Sequence, residues 1–181
     1  MIVDRWTSQL DEITNLFKKD FSTLSAKRLD WKPNNATWSI AQNLHHLIVI
    51  NESYIPVLKL ARQKQQKLPW ISKFDFVVNF IGNTVLKAVD PGRRKKVKTF
   101  SIWEPSSTDL GTNIFVRFEE HQAELKKLIA NSLDLVEQKT VIVSPANKNL
   151  VYKLDTAFDI LVTHERRHYE QAKESLNLRP A

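Results

Sequence analysis

At 181 residues and 42% hydrophobic content, the chain can bury one sizeable core and is too short to require two, so a single domain over residues 1–181 is expected. It contains no cysteine, which excludes disulfides, thiolate metal sites and a cysteine nucleophile and leaves histidine and carboxylate as metal ligands. Its 27 Lys and Arg exceed its 20 Asp and Glu for a net charge of +7, and no apolar run reaches the roughly 18 residues that a bilayer span needs.

From Val3 to about Phe21, apolar Trp6, Leu10, Ile13, Leu16 and Phe17 follow the three-and-four spacing of a helix with one buried stripe. This amphipathic start carries interspersed Asp and Lys and does not resemble an export leader, so a soluble, cytoplasmic protein with no membrane partner is expected. Ser22 to Asn35 lacks periodicity and contains Pro33; it reads as a connection whose Leu24, Leu29 and Trp31 fold back onto the core.

Ser39, with Gln42 three positions later, opens a second helix by the capping-box pattern. That helix runs to about Arg62; Pro56 inside it predicts a kink and not a stop, because apolar Val57, Leu58 and Leu60 resume the pattern. A polar linker, Gln63 to Lys67, leads into Trp70 to Val89, rich in Phe, Ile and Val, part of which reads as a short helix. Asp90-Pro91-Gly92 is a turn signal. The run Arg93-Arg94-Lys95-Lys96-Val97-Lys98 follows it and reads as a solvated loop, because no aromatic residue interrupts it to stack on bases, so nucleic acid is disfavoured as a partner.

Thr99 to Ser107 is irregular, and a third long helix is expected from Thr108 to about Ser132, with Leu110, Ile114, Phe115, Phe118, Ala123, Leu125 and Leu128 inward. Glu119 and Glu120 before His121 and Gln122 after it suggest that His121 lies on a solvated face. Val141-Ile142-Val143 is β-branched and bounded by Pro145, which predicts a short extended segment. Asp155 or Thr156 should then cap a last long helix. Four long amphipathic helices with little strand signal give an all-α bundle.

That last helix carries His164-Glu165-Arg166-Arg167-His168. Two imidazoles four residues apart share a helix face and can reach one ion. The best candidate for a third ligand is His46, flanked by apolar Leu44, Leu47 and Ile50 on the second helix; its neighbour His45 is turned about 100° away, so the two cannot serve one ion together, and the choice of His46 rests partly on the resemblance described below. The string also matches the zinc-protease motif, in which the glutamate is the general base. Those enzymes need a third ligand downstream, yet only thirteen residues follow His168, and the positions that metzincins fill with Gly and His hold Gln171 and Glu174. The protease reading is therefore set aside, and Glu165 reads as a surface residue.

The order Trp31-Lys32-Pro33, Trp38-Ser39-Ile40-Ala41-Gln42, His46-Leu47 and His164-x-x-x-His168-x-x-Gln171 resembles the DinB/YfiT-like superfamily of metal-dependent enzymes. The resemblance spans nearly the whole chain. It implies a four-helix bundle of up-down-down-up topology, a homodimer, and a divalent metal, zinc or nickel, on His46, His164 and His168. It also implies a small-molecule substrate handled by hydrolysis or by transfer of a low-molecular-weight thiol. No general base declares itself, because Glu52 is six residues from His46 and off its face, while Gln171 is placed to orient a ligand or simply to pack. The alternative is a non-catalytic bundle acting through dimerisation or through a basic loop that binds an acidic partner.

Overall fold

The computed structural model describes residues 2–92, 99–106 and 110–178; the basic run Arg93 to Lys98 lies outside them. The elements are α1 (Ile2–Phe21), α2 (Ala26–Leu29), α3 (Ile40–Arg62), α4 (Asp75–Ala88), α5 (Ile114–Ala130), α6 (Leu133–Glu137), β1 (Val141–Ser144), β2 (Asn147–Lys153) and α7 (Leu154–Asn177). Short 3₁₀ turns occupy Trp70–Lys73 and Ser101–Trp103.

The four long helices α1, α3, α5 and α7 form the bundle. Side-chain pairs fix their directions. Glu12 meets Arg166 at 2.9 Å and the Tyr169 hydroxyl donates to Asp20 at 2.6 Å, so α1 and α7 run parallel. Lys126 meets Asp11 and Lys18 meets Glu119, each at 2.5 Å, so α5 opposes α1. Asn43 pairs with His168 at 2.7 Å and Asn51 with Glu165 at 2.8 Å, so α3 opposes α7. In chain order the bundle is therefore up, down, down, up. Around it, α1 and α3 occupy opposite corners, each packed on both α5 and α7.

The stripes read from the sequence bury as expected in α1, where Trp6, Leu10, Ile13, Phe17 and Phe21 are inside. Phe17 is the aromatic hub: its ring lies 5.9 Å from Phe21, 5.4 Å from Phe118 and 5.4 Å from Tyr169. The capping box at α3 forms, with the Gln42 amide donating to Ser39 Oγ at 3.0 Å and the Ser39 amide to Gln42 Oε1 at 3.2 Å. The helix continues through Pro56.

Three expectations need correction. The third long helix starts at Ile114, not Thr108, because Gly111 docks against α2: its amide donates to Asp30 at 3.0 Å, and a Cβ there would sit 2.5 Å from the Ala26 carbonyl oxygen. Ala123, expected inward, is exposed. The extended segment expected at Val141 forms as β1 and pairs antiparallel with β2, Val141 opposite Lys153 and Ile142 opposite Tyr152. That hairpin also replaces the expected cap of α7. The helix begins at Leu154, whose amide donates to the Thr140 carbonyl at 2.9 Å, one residue before Asp155.

Among the described residues no helix is long and apolar enough to cross a membrane. Truncating the aromatic hub, Phe17→Ala, should cost about 3–5 kcal/mol through lost burial and the cavity it leaves. Urea unfolding would measure this as a lowered midpoint at unchanged slope.

Candidate metal centre

His46 comes from the second turn of α3, and His164 and His168 from consecutive turns of α7. Because α3 and α7 are antiparallel neighbours, all three rings meet between them, with ligand-capable nitrogens within 4.8 Å of one another. Ring centroids lie 4.4 Å apart for His164 and His168, 4.6 Å for His46 and His168, and 5.3 Å for His46 and His164. Nε2 of His168 stands 3.0 Å from Nε2 of His164. Zinc–nitrogen bonds of about 2.0–2.1 Å put two neighbouring ligand nitrogens roughly 3.0–3.4 Å apart, so this spacing suits a shared ion.

Two of the rings have their orientation set from behind. His168 Nδ1–H donates to Asn43 Oδ1 at 2.7 Å, and Asn43 is itself fixed because its Nδ2 donates to the Ser39 carbonyl at 2.8 Å. His46 Nδ1–H donates to the Trp103 carbonyl at 2.6 Å. With Nδ1 protonated, the lone pair of each ring is on Nε2, the tautomer a metal needs. Trp38 walls the cluster, its ring stacked 5.7 Å from His168 and tilted 4.6 Å from His46.

Segment 99–106, which contains the 3₁₀ turn Ser101–Trp103, is tied over this end of α3. Ser106 donates its amide to His45 Nδ1 at 3.3 Å and accepts from Gln42 Nε2 at 3.2 Å, while Trp103 Nε1 donates to Ser53 Oγ at 3.0 Å. His45 thus turns away from the cluster, as the 100° offset requires. Glu52 is exposed and Gln171 half-buried, and among the described residues neither orients one of the three imidazoles.

Burial holds the cluster neutral. It lowers the His46 pKa to about 4 against the opposing pull of the Trp103 carbonyl, and it pushes His164 and His168 well below the usual value, with neighbouring imidazoles and Arg167 adding to the shift. Three neutral imidazoles with converging lone pairs are a donor set that fits a divalent cation.

Two sequence readings are overturned here. Glu165 is not at the surface: it is 0% exposed, and its carboxylate accepts from Asn51 Nδ2 at 2.8 Å and Gln122 Nε2 at 2.6 Å. One residue past His164, it turns from the cluster into the space between α3 and α5, because α7 is covered on more than one side. Burial raises its pKa to about 7, partly offset by those two donors. His121 is 6% exposed, not solvated, and burial lowers its pKa to about 4. Its place was legible, since Phe118, His121 and Leu125 continue the buried three-and-four stripe of α5 that the flanking glutamates disguise.

The sequence profile of the DinB superfamily matches residues 9–172. The chain belongs to the DinB superfamily. Its fold is similar to that of YfiT from Bacillus subtilis, described as a probable metal-dependent hydrolase with an unusual four-helix bundle topology. The TM-score is 0.54 at 16% identity, over 95% of this chain and 84% of that one. Among curated proteins, none matches the chain.

Glu165→Ala should destabilise the DinB-like bundle by about 3 kcal/mol, because two buried amide donors lose their acceptor; chemical unfolding measures it. The metal-free protein should also lose stability as pH falls from 6.5 towards 4. The histidines, with folded pKa values below the unfolded 6.5, bind more protons when unfolded in that window. Glu165, with a raised folded pKa, works the other way between 4.5 and about 7, but it is one group against four histidines. Unfolding midpoints across this range check the sign.

Proposed function

We propose that this chain is a metal-dependent enzyme acting on a small molecule, with a divalent ion, zinc or nickel, held by Nε2 of His46, His164 and His168. The observation that carries the reading is the pair of Nδ1 hydrogen bonds to Asn43 and to the Trp103 carbonyl, which leave the Nε2 lone pairs of His168 and His46 free, that of His168 3.0 Å from His164 Nε2. A structural zinc site is closed by four protein ligands, whereas three leave a position free for a reactant. An imidazole set suits zinc and nickel and adds no negative charge, so the full charge of the ion is available to the reactant.

Such an ion supplies Lewis acidity, which lowers the pKa of a coordinated water or thiol. The protein's share is to keep the three rings neutral by burial, to hold His168 and His46 in one tautomer, and to wall the cluster with Trp38 and segment 99–106. Hydrolysis is the leading reading, in line with the description of the YfiT neighbour. Transfer of a low-molecular-weight thiol is the second. Among the described residues no carboxylate joins the histidine cluster and Glu165 points away, an arrangement that suits a nucleophile the ion itself ionises, and a thiol, more acidic than water, asks the least of it.

The test is to strip the protein with chelator, reload it with zinc or nickel, and assay ester, amide and phosphoester hydrolysis beside conjugation of small thiols to an electrophile. Activity in one class that returns with metal and falls at least about 100-fold in His46→Ala and His168→Ala is expected. Activity that survives both chelation and the His168 variant would overturn the reading. Asn43→Ala should weaken metal affinity by about 10–100-fold, the usual cost of losing a partner behind a ligand, measured by competition with a chromogenic chelator.

A further inference from the structure

Four of the largest apolar side chains lie together on the surface, away from the histidine cluster's walls. Trp70 is 71% exposed, Phe76 73% and Phe80 71%, with Phe74 at 43% between them. Trp70 and Phe74 rings are 5.7 Å apart and Phe74 and Phe76 rings 6.1 Å, so Trp70, Phe74 and Phe76 form a continuous patch. Phe80 extends it by one turn of α4 along the same side as Phe76.

The patch cannot be tucked away by rolling α4. The opposite side of that helix carries Val78 and Gly82, both buried, and packs on β2 and α7. At Gly82 a Cβ would stand 2.9 Å from Thr156 Cγ2 and 3.0 Å from Tyr152 Cβ. The inward face is thus held by close contact, and Phe76 and Phe80 are committed outward. Soluble proteins seldom leave such a contiguous aromatic surface without a partner.

Charge identifies the partner. Lys67, Lys73 and Lys87 are all exposed on this stretch, and Lys87 falls in the same stripe of α4 as Phe76 and Phe80. The one acid between Lys67 and Lys87, Asp75, is already paired with Lys153 at 2.6 Å. A two-fold contact of this surface with a second copy would bring lysines against lysines. We propose that the patch docks the protein on an anionic lipid surface, with the aromatic rings at the headgroup boundary and the lysines against phosphates. Single-stranded nucleic acid would offer phosphates too, but it needs open ring faces for stacking. Here Phe74 meets both Trp70 and Phe76 in T-shaped contacts, so the rings pack on one another and form no row of parallel faces, and the adjoining exposed residue is aliphatic Leu68. Surface docking needs no spanning helix, so it departs from the expectation of no membrane partner without conflicting with the absence of a long apolar run. It is independent of the proposed metal chemistry.

The test is co-sedimentation of the full chain with vesicles of phosphatidylcholine alone or mixed with phosphatidylglycerol. Binding to the mixed vesicles only, weakened by added salt, is expected. The double variant Phe76→Ser, Phe80→Ser should weaken it at least about tenfold, with thermal melting unchanged because both side chains are exposed. Three results would overturn the proposal: no sedimentation with the mixed vesicles; equal binding by the double variant; or sedimentation velocity showing a wild-type dimer that the variant dissolves, which would make a second copy the occupant. Retention on single-stranded DNA lost in the variant, with no vesicle binding, would assign the patch to nucleic acid instead.

Discussion

The seam between α3 and α7 buries polar side chains, and every one of them needs a partner away from water. A buried polar group left unmatched costs about 1–3 kcal/mol, so the pairings available across that seam decide how the two helices sit. Asn43 meets His168 and Asn51 meets Glu165, and these contacts hold the helices in antiparallel register. The same register brings His46 opposite His164 and His168. A helix shifted by one turn along the seam would lose both polar pairs and separate the histidines together.

The connections between the bundle helices serve this seam as well. Segment 99–106 supplies the carbonyl that fixes His46, and it is itself tied to α3 through Gln42, His45 and Ser53. The β-hairpin delivers the chain directly into the first turn of α7 and backs α3 with the Tyr54–Tyr152 hydroxyl pair at 2.7 Å. On the far side, the carboxylate of Glu165 gathers donors from α3 and α5. Three helices are thereby held together by one buried acid directly beside a histidine of the cluster.

Much of this was legible in the sequence, and the remainder failed for identifiable reasons. The stripe of α1, the capping box at Ser39 and the i, i+4 histidine pair depend on local spacing, which a sequence displays directly. For Glu165 and His121, charge and charged neighbours point to solvent, yet in a helix packed on several sides an acid is buried if two donors meet it. The start of α5 has no local signal, because Gly111 docks on Ala26 and Asp30, a contact between residues far apart in the chain. The role of Trp103 had no sequence signal at all, since its contribution to His46 is a backbone carbonyl. Asn43 had a faint one: three residues before His46, it shares that side of the helix.

The central claim is that three imidazoles, one from α3 and two from α7, form the ligand set of a single ion. X-ray absorption at the metal edge of zinc- or nickel-loaded protein reads that set directly. Imidazole scattering from three nitrogens at about 2.0–2.1 Å, falling to two in His46→Ala, is expected. A spectrum dominated by carboxylate or solvent oxygen, or one unchanged by His46→Ala, would contradict the account.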